Sequence, residues 1–155
     1  MIKNLKFRIH NSELQGGFTL IELLIVVSII GILATLLMTN FVGVRQRARD
    51  GQRKSDLRQV QSALELYRAD IGSYPDSLSL PACDGIFSSD GTPTGTIYMQ
   101  KLPCDPSTGV TYAYTPSGTP PATYSITACL ENPNDSQKDD PVVGSCTTSF
   151  TLQNP

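Results

Sequence analysis

Few side chains in this chain of 155 residues are equipped for chemistry. It has one His, His10, no Trp and four Cys. No nucleophile stands beside a base, no ligand cluster has metal spacing, and no glycine-rich phosphate loop is present. The sequence therefore holds no catalytic constellation, and it reads as a non-enzyme. The most conspicuous ionisable residue is Glu22, the one charge within residues 18–44. A carboxylate inside an apolar helix is costly and usually functional. Its position alone is equally compatible with a side chain that snorkels to lipid headgroups. The four cysteines, Cys83, Cys104, Cys129 and Cys146, form the second group of interest. Four Cys allow three connectivities, and order along the chain favours Cys83 with Cys104 and Cys129 with Cys146. Each closes a loop of about 20 residues, worth on the order of 3 kcal/mol. Zinc is the competing reading, disfavoured because no CxxC spacing occurs and His10 lies among the first 17 residues.

The elements that must position these groups are unevenly composed. Residues 1–17 are short and polar, with Lys3, Lys6 and Arg8 against Glu13. A secretory signal would continue into an apolar stretch of about 7–15 residues ending at small residues. Here residues 23–44 carry no charge at all. Roughly 20 apolar residues at 1.5 Å each cross a ~30 Å hydrocarbon core, so the segment is a transmembrane helix candidate. The basic leader favours an inside N-terminus and an outside head, a single-pass arrangement.

No Pro precedes Pro75, so one helix is permitted from about residue 18 to 70, about 80 Å long. Leu57, Val60, Leu64, Tyr67 and Ile71 recur at three- and four-residue steps, an apolar stripe expected to meet the sheet of the head. The polar face carries Arg45, Arg47, Arg49, Arg53, Lys54 and Arg58. These residues read as a solvated face, as a site for anionic headgroups, or as a contact for acidic heads of neighbouring subunits. No aromatics interleave with them, and the net charge is -2, so nucleic acid is not an expected partner. The domain reading is a leader over 1–17, a membrane half of the helix over 18–44, an amphipathic half over 45–72 and a β head over 73–155.

The run Gly17-Phe18-Thr19-Leu20-Ile21-Glu22-Leu23-Leu24-Ile25-Val26-Val27 resembles the class III signal of type IV pilins and pseudopilins. Two further stretches are similar to major pseudopilins of type II secretion. One is Tyr67, Asp70, Gly72 and Tyr74-Pro75. The other is Lys101-Leu102-Pro103-Cys104-Asp105-Pro106 with Gly109, Tyr112 and Tyr114. The resemblance implies a prepilin peptidase that cuts after Gly17 and methylates Phe18. It also implies that Glu22 pairs with the Phe18 amine of a neighbouring subunit and so sets the register of a filament. Opposite charges ~4 Å apart gain on the order of 4 kcal/mol at an effective dielectric of 20. The implied partners are the peptidase, an inner-membrane assembly platform, further copies of the chain, minor pilin-like subunits and the membrane. The implied location is the bacterial inner membrane, with the filament in the periplasm or at the cell surface. A secretion pseudopilin is the first reading and a surface pilus subunit the alternative. A tethered binding module that never polymerises is the rival from another class.

The head is expected to be α+β and pilin-like: a long N-terminal helix packed on a small antiparallel sheet. A Gly/Ser/Pro loop is expected over 79–96, and strands over 110–115, 122–129 and 147–152. Outside the cytoplasm the two disulfides would persist. The stretch 131–140 is acidic, and oxygen ligands at flexible spacing suit calcium. The resemblance implies a calcium site in such a loop, with Asp135, Asp139 and Asp140 at a comparable place. A plain solvated turn, with the Cys129–Cys146 bracket as the staple, is the favoured reading of the same residues.

Overall fold

The computed structural model describes residues 17–76 and 82–155. The leader up to Gly16, with Lys3, Lys6 and Arg8, lies outside the described residues, as do positions 79–81 of the expected loop. Helix α1 (Leu20–Ile71) is followed by β1 (Phe87–Ser88), β2 (Ile97–Met99), β3 (Ala113–Gly118), β4 (Pro121–Cys129) and β5 (Ser149–Gln153). The chain divides into two compact units, Met1–Asn40 and Phe41–Pro155.

In the first unit α1 is apolar on every side, and Leu20–Met38 is long and apolar enough to cross a bilayer. Its side chains are open to their surroundings, from Leu20 at 86% exposure to Ile25 and Val26 at 50%. Such all-round apolarity has no solution within one soluble chain and calls for lipid or other helices. Two hydroxyls of this stretch bond back to the helix backbone. Ser28 Oγ donates to the Ile25 carbonyl at 2.7 Å and Thr35 Oγ1 to the Ile32 carbonyl at 2.8 Å. Neither donor is thereby left bare in an apolar setting.

In the second unit, α1 lays Leu57, Val60, Ala63 and Leu64 against Tyr124, Ile126, Ala128 and Phe150 of the sheet. The helix ends where Gly72 enters the left-handed region at φ +89°, its N–H donating to the Arg68 carbonyl at 2.8 Å. Strand order is β3-β4-β5, antiparallel throughout. In β4, Tyr124, Ile126 and Ala128 alternate toward the helix, as period-two patterning demands. Tyr74 is buried just past the helix, its ring edge-on to Tyr124 at 4.6 Å. The architecture is the expected α+β, pilin-like one.

Four details differ from the expectations. The strand expected at 110–115 is displaced to Ala113–Gly118, because Tyr112 lies before the strand with its hydroxyl on Asp56 at 2.8 Å. The expected loop contains β1, which pairs with β2 as a short hairpin whose Phe87 and Tyr98 pack on Tyr67. Ile71 is half exposed instead of joining the core, since it is the last helical residue. Arg53, expected on the polar face, is 2% exposed. The core stripe carries on past Leu57 through Arg53 and Asp50, so charge replaces hydrocarbon on the same face.

Candidate assembly segment and head clamp

At the start of α1 the sequence Thr19-Leu20-Ile21-Glu22 makes a reciprocal cap. Thr19 N and Oγ1 donate to Glu22 Oε2 at 2.9 and 2.8 Å, while Glu22 N donates to Thr19 Oγ1 at 3.3 Å. This is the capping box, which satisfies N–H groups that a helix start leaves without partners. Gly17 and Phe18 precede the helix and are exposed. Glu22 is exposed too, in the first turn. Thr19 was not singled out by its residue type, although Thr followed three residues later by Glu before an apolar run is the sequence sign of this cap.

Further along α1, helix charges grip the loops of the head. Arg53 donates through Nε to Asp105 Oδ2 at 2.6 Å, through NH1 to Asp50 Oδ1 at 2.8 Å, and through NH2 to Ser107 Oγ at 2.6 Å. Its NH1 also lies 2.9 Å from Glu131 Oε1. Arg49 forms a two-pronged pair with Glu131. Asp50 receives the backbone N–H groups of Glu131 and Asn132 at 2.9 and 2.8 Å. A buried charge survives only when paired and hydrogen-bonded, and each of these is.

The electrostatics follow the contacts. Burial opposes the charge of Arg53, but hydrogen bonds to Asp105, Asp50 and Glu131 outweigh it and hold the guanidinium protonated. Burial likewise pushes Asp105 up, and the donors Arg53, Ser107 and Thr108 hold it well below the usual carboxylate range. Hydrogen bonds from Arg49 and then Arg53 hold Glu131 down at about 2 against the effect of burial. Asp56 is raised by burial, with the Tyr112 hydroxyl pulling it partly back.

Half of the basic cluster is therefore spent inside the head. Arg49, Arg53 and Lys54 meet Glu131, Asp105 with Asp50, and Asp135. Arg45, Arg47 and Arg58 keep exposed side chains, and Arg45 lies over the Phe41 ring at 4.7 Å.

Cys83 is joined to Cys104 and Cys129 to Cys146, with Cα–Cα distances of 5.3 and 5.2 Å. The three loop aspartates do not share a site. Asp135 receives Lys54 Nζ and the Gln137 N–H. Asp139 receives Ser149 Oγ at 2.6 Å and both the N–H and hydroxyl of Thr151 at 3.1 and 2.8 Å. Asp140 is exposed. Among the described residues the one group with three converging ligand atoms is Cys83, Asp84 and Cys104, and its two sulfurs are bonded to each other. A calcium ion needs six to eight converging oxygens, and the residues at this loop do not fit it.

Comparison with known proteins places these features in one context. Residues 14–38 match the prokaryotic N-terminal methylation motif, and residues 40–140 match the family of type II secretion system protein G. A type II secretion system core protein G from Pseudomonas aeruginosa is 34% identical over 114 residues, covering 68% of this chain and 76% of the relative. The core protein G from Escherichia coli K12 is 30% identical over 105 residues, covering 61% and 68%. That from Aeromonas hydrophila is 32% identical over 101 residues, covering 59% and 67%. No solved structure is matched by the chain. An apolar helix headed by a methylation motif, joined to a sheet clamped on its second half, thus carries family-wide matches over both parts: the chain belongs to the type II secretion system protein G family.

Proposed function

We propose that this protein is the major pseudopilin of a type II secretion system, a structural subunit of a filament that helps move folded proteins outward. The observation that carries this reading is the adjacency of the methylation motif at 14–38 and the protein G match at 40–140. In this reading a prepilin peptidase cuts after Gly17 and methylates the new N-terminus at Phe18. The chain is held in the inner membrane by the apolar start of α1, with its head on the far side of the bilayer. Filament growth draws subunits through an assembly platform into a homopolymer joined by minor pilin-like subunits. The exposed apolar side chains between Phe18 and Val44 then find cover in other copies of the same helix. Glu22 contributes a carboxylate to the Phe18 amine of a neighbour, an attraction that gains strength in an apolar setting.

A disulfide that brackets the C-terminal loop, here Cys129–Cys146, resembles the arrangement in type IV pilins and is the feature on the side of a surface pilus subunit. The family matches outweigh it, since they cover the helix and reach into the head as far as residue 140. The test is made in cells producing the full chain. Gly17→Ala is expected to accumulate uncut precursor, and Glu22→Ala to give cut, membrane-inserted protein with little filament and little secretion. Normal filament yield from Glu22→Ala would remove Glu22 from assembly. Normal secretion after deletion of the gene would remove the secretion role.

A further inference from the structure

The loop between β4 and β5 is rich in acidic groups, and the carboxylates of Glu131, Asp135 and Asp139 already have partners. Lys54 reaches from α1 to Asp135 Oδ1, and its ammonium lies 5.6 Å from the centre of the Phe150 ring on β5. Its side chain is 12% exposed. A desolvated ammonium between a carboxylate and an aromatic face is attracted by both. Lys138 takes a second kind of oxygen, its Nζ donating to the Pro133 carbonyl at 2.8 Å. Carboxylate and backbone carbonyl oxygens are the ligands a calcium loop supplies. Here two ammonium groups hold one of each. Asp139 is turned away from both, onto Ser149 and Thr151, and Ser149 Oγ accepts the Val143 N–H at 2.8 Å. Cys129 and Cys146 close the ends of the segment.

We propose that Lys54 and Lys138 are the resident cations of this loop, so that the head is fastened by ammonium groups and a disulfide and needs no divalent metal. The physical reason is competition for the same oxygens. An ammonium donates up to three hydrogen bonds and carries its charge on a tether, so it needs no metal in solution. A calcium ion entering at Asp135 would have to displace Lys54 from a site that α1 and β5 both shape. The proposal goes beyond the filament reading, and its readouts do not depend on assembly.

The experiment uses the full chain in detergent micelles. Thermal unfolding is followed by circular dichroism in millimolar calcium chloride and in excess chelator, beside a calorimetric titration with calcium chloride alone. The expected result is one melting temperature in both buffers and no binding heat. Lys54→Met is expected to melt several degrees lower in both, and Lys54→Arg to keep most of the loss from appearing. If Lys54→Met does not fold, Lys138→Met is read instead, with a smaller fall that is equal in both buffers. A rise of several degrees for the unaltered chain in calcium would overturn the proposal. So would an unchanged melting temperature for Lys54→Met, or a loss in Lys138→Met that calcium restores.

Discussion

Arg53 and Asp105 stand 52 residues apart in sequence and meet at 2.6 Å, Nε to Oδ2, with the arginine side chain 2% exposed. The same guanidinium reaches Asp50 on its own helix and Glu131 beyond β4. One side chain thus fastens two head loops, around Asp105 and around Glu131, to the same stretch of α1. Removing one partner of a buried pair typically costs about 3–5 kcal/mol, because the charge left behind has no water. Arg53→Met is therefore expected to lower unfolding free energy by an amount of that order. Asp105→Asn should cost less, since Ser107 and Thr108 can still donate to the amide oxygen. Denaturant unfolding of the full chain in micelles measures both. Equal stability of Arg53→Met and the unaltered chain would show that the clamp contributes nothing net.

Stability should fall on acidification, with a sign that follows from the carboxylates. Asp105, Glu131 and Asp135 all have folded-state pKa values below their unfolded ones. Groups of this kind stabilise the fold above the unfolded pKa of about 4, and the contribution drains away as pH falls through the folded value. For Glu131 that window runs from 4.5 down to about 2. Asp56 acts in the opposite sense, because burial raises it and protonation favours the fold there. Melting temperature against pH should be flat near neutrality and drop below about pH 4. In Glu131→Gln the drop should be shallower.

The cap at the start of α1 separates two roles of Glu22. Thr19→Ala removes the reciprocal partner and leaves the carboxylate. A lost N-cap costs about 1 kcal/mol of helix stability, little in a helix held by its surroundings. Filament yield from Thr19→Ala is expected to stay close to normal, while Glu22→Ala loses it. Equal losses in sheared filament from both variants would mean that the carboxylate acts as a cap.

Both disulfides should matter to the head alone. With sequence separations of 21 and 17, each is worth on the order of 3 kcal/mol. Cys129→Ser with Cys146→Ser should lower the melting temperature and make residues 131–140 the first site of proteolysis. Mass analysis of an unreduced digest checks the pairing, and peptides linking Cys83 to Cys129 would contradict it.

Gly118 turns β3 into β4 at φ +102°, where an added Cβ would lie 3.1 Å from the Pro120 carbonyl oxygen and 3.2 Å from Ala122 N. Gly118→Ala is expected to destabilise the hairpin by about 1–2 kcal/mol through the strained backbone. Unfolding midpoints of the variant and the parent provide the measurement.

Much of the fold is legible in local patterning. The stripe of Leu57, Val60 and Leu64 does face the sheet, Gly72 does end the helix, and Tyr124, Ile126 and Ala128 do point inward. The β1–β2 hairpin is hidden because strands of two and three residues leave no periodicity to count. Arg53 and Asp50 were hidden by residue type. Extending the three- and four-residue steps back from Leu57 lands on both, and the register was a truer guide to burial than polarity.

Local spacing sets the character of each part: an apolar segment whose one charge sits at its start, and a head whose helix stripe and alternating strands belong to an α+β fold. These are properties of spacing over a few residues, which a helix or strand converts directly into a face. Which basic residues stay exposed is a property of the tertiary structure. Helical register marks Arg53 for burial, but nothing along the helix names the partners of Arg49, Arg53 and Lys54 or sets Arg49 and Lys54 apart from Arg45, Arg47 and Arg58. Only folding brings Glu131, Asp105 and Asp135 against Arg49, Arg53 and Lys54. Charge pairs across 52 to 82 residues are set by where the loops arrive, and no local pattern carries that information.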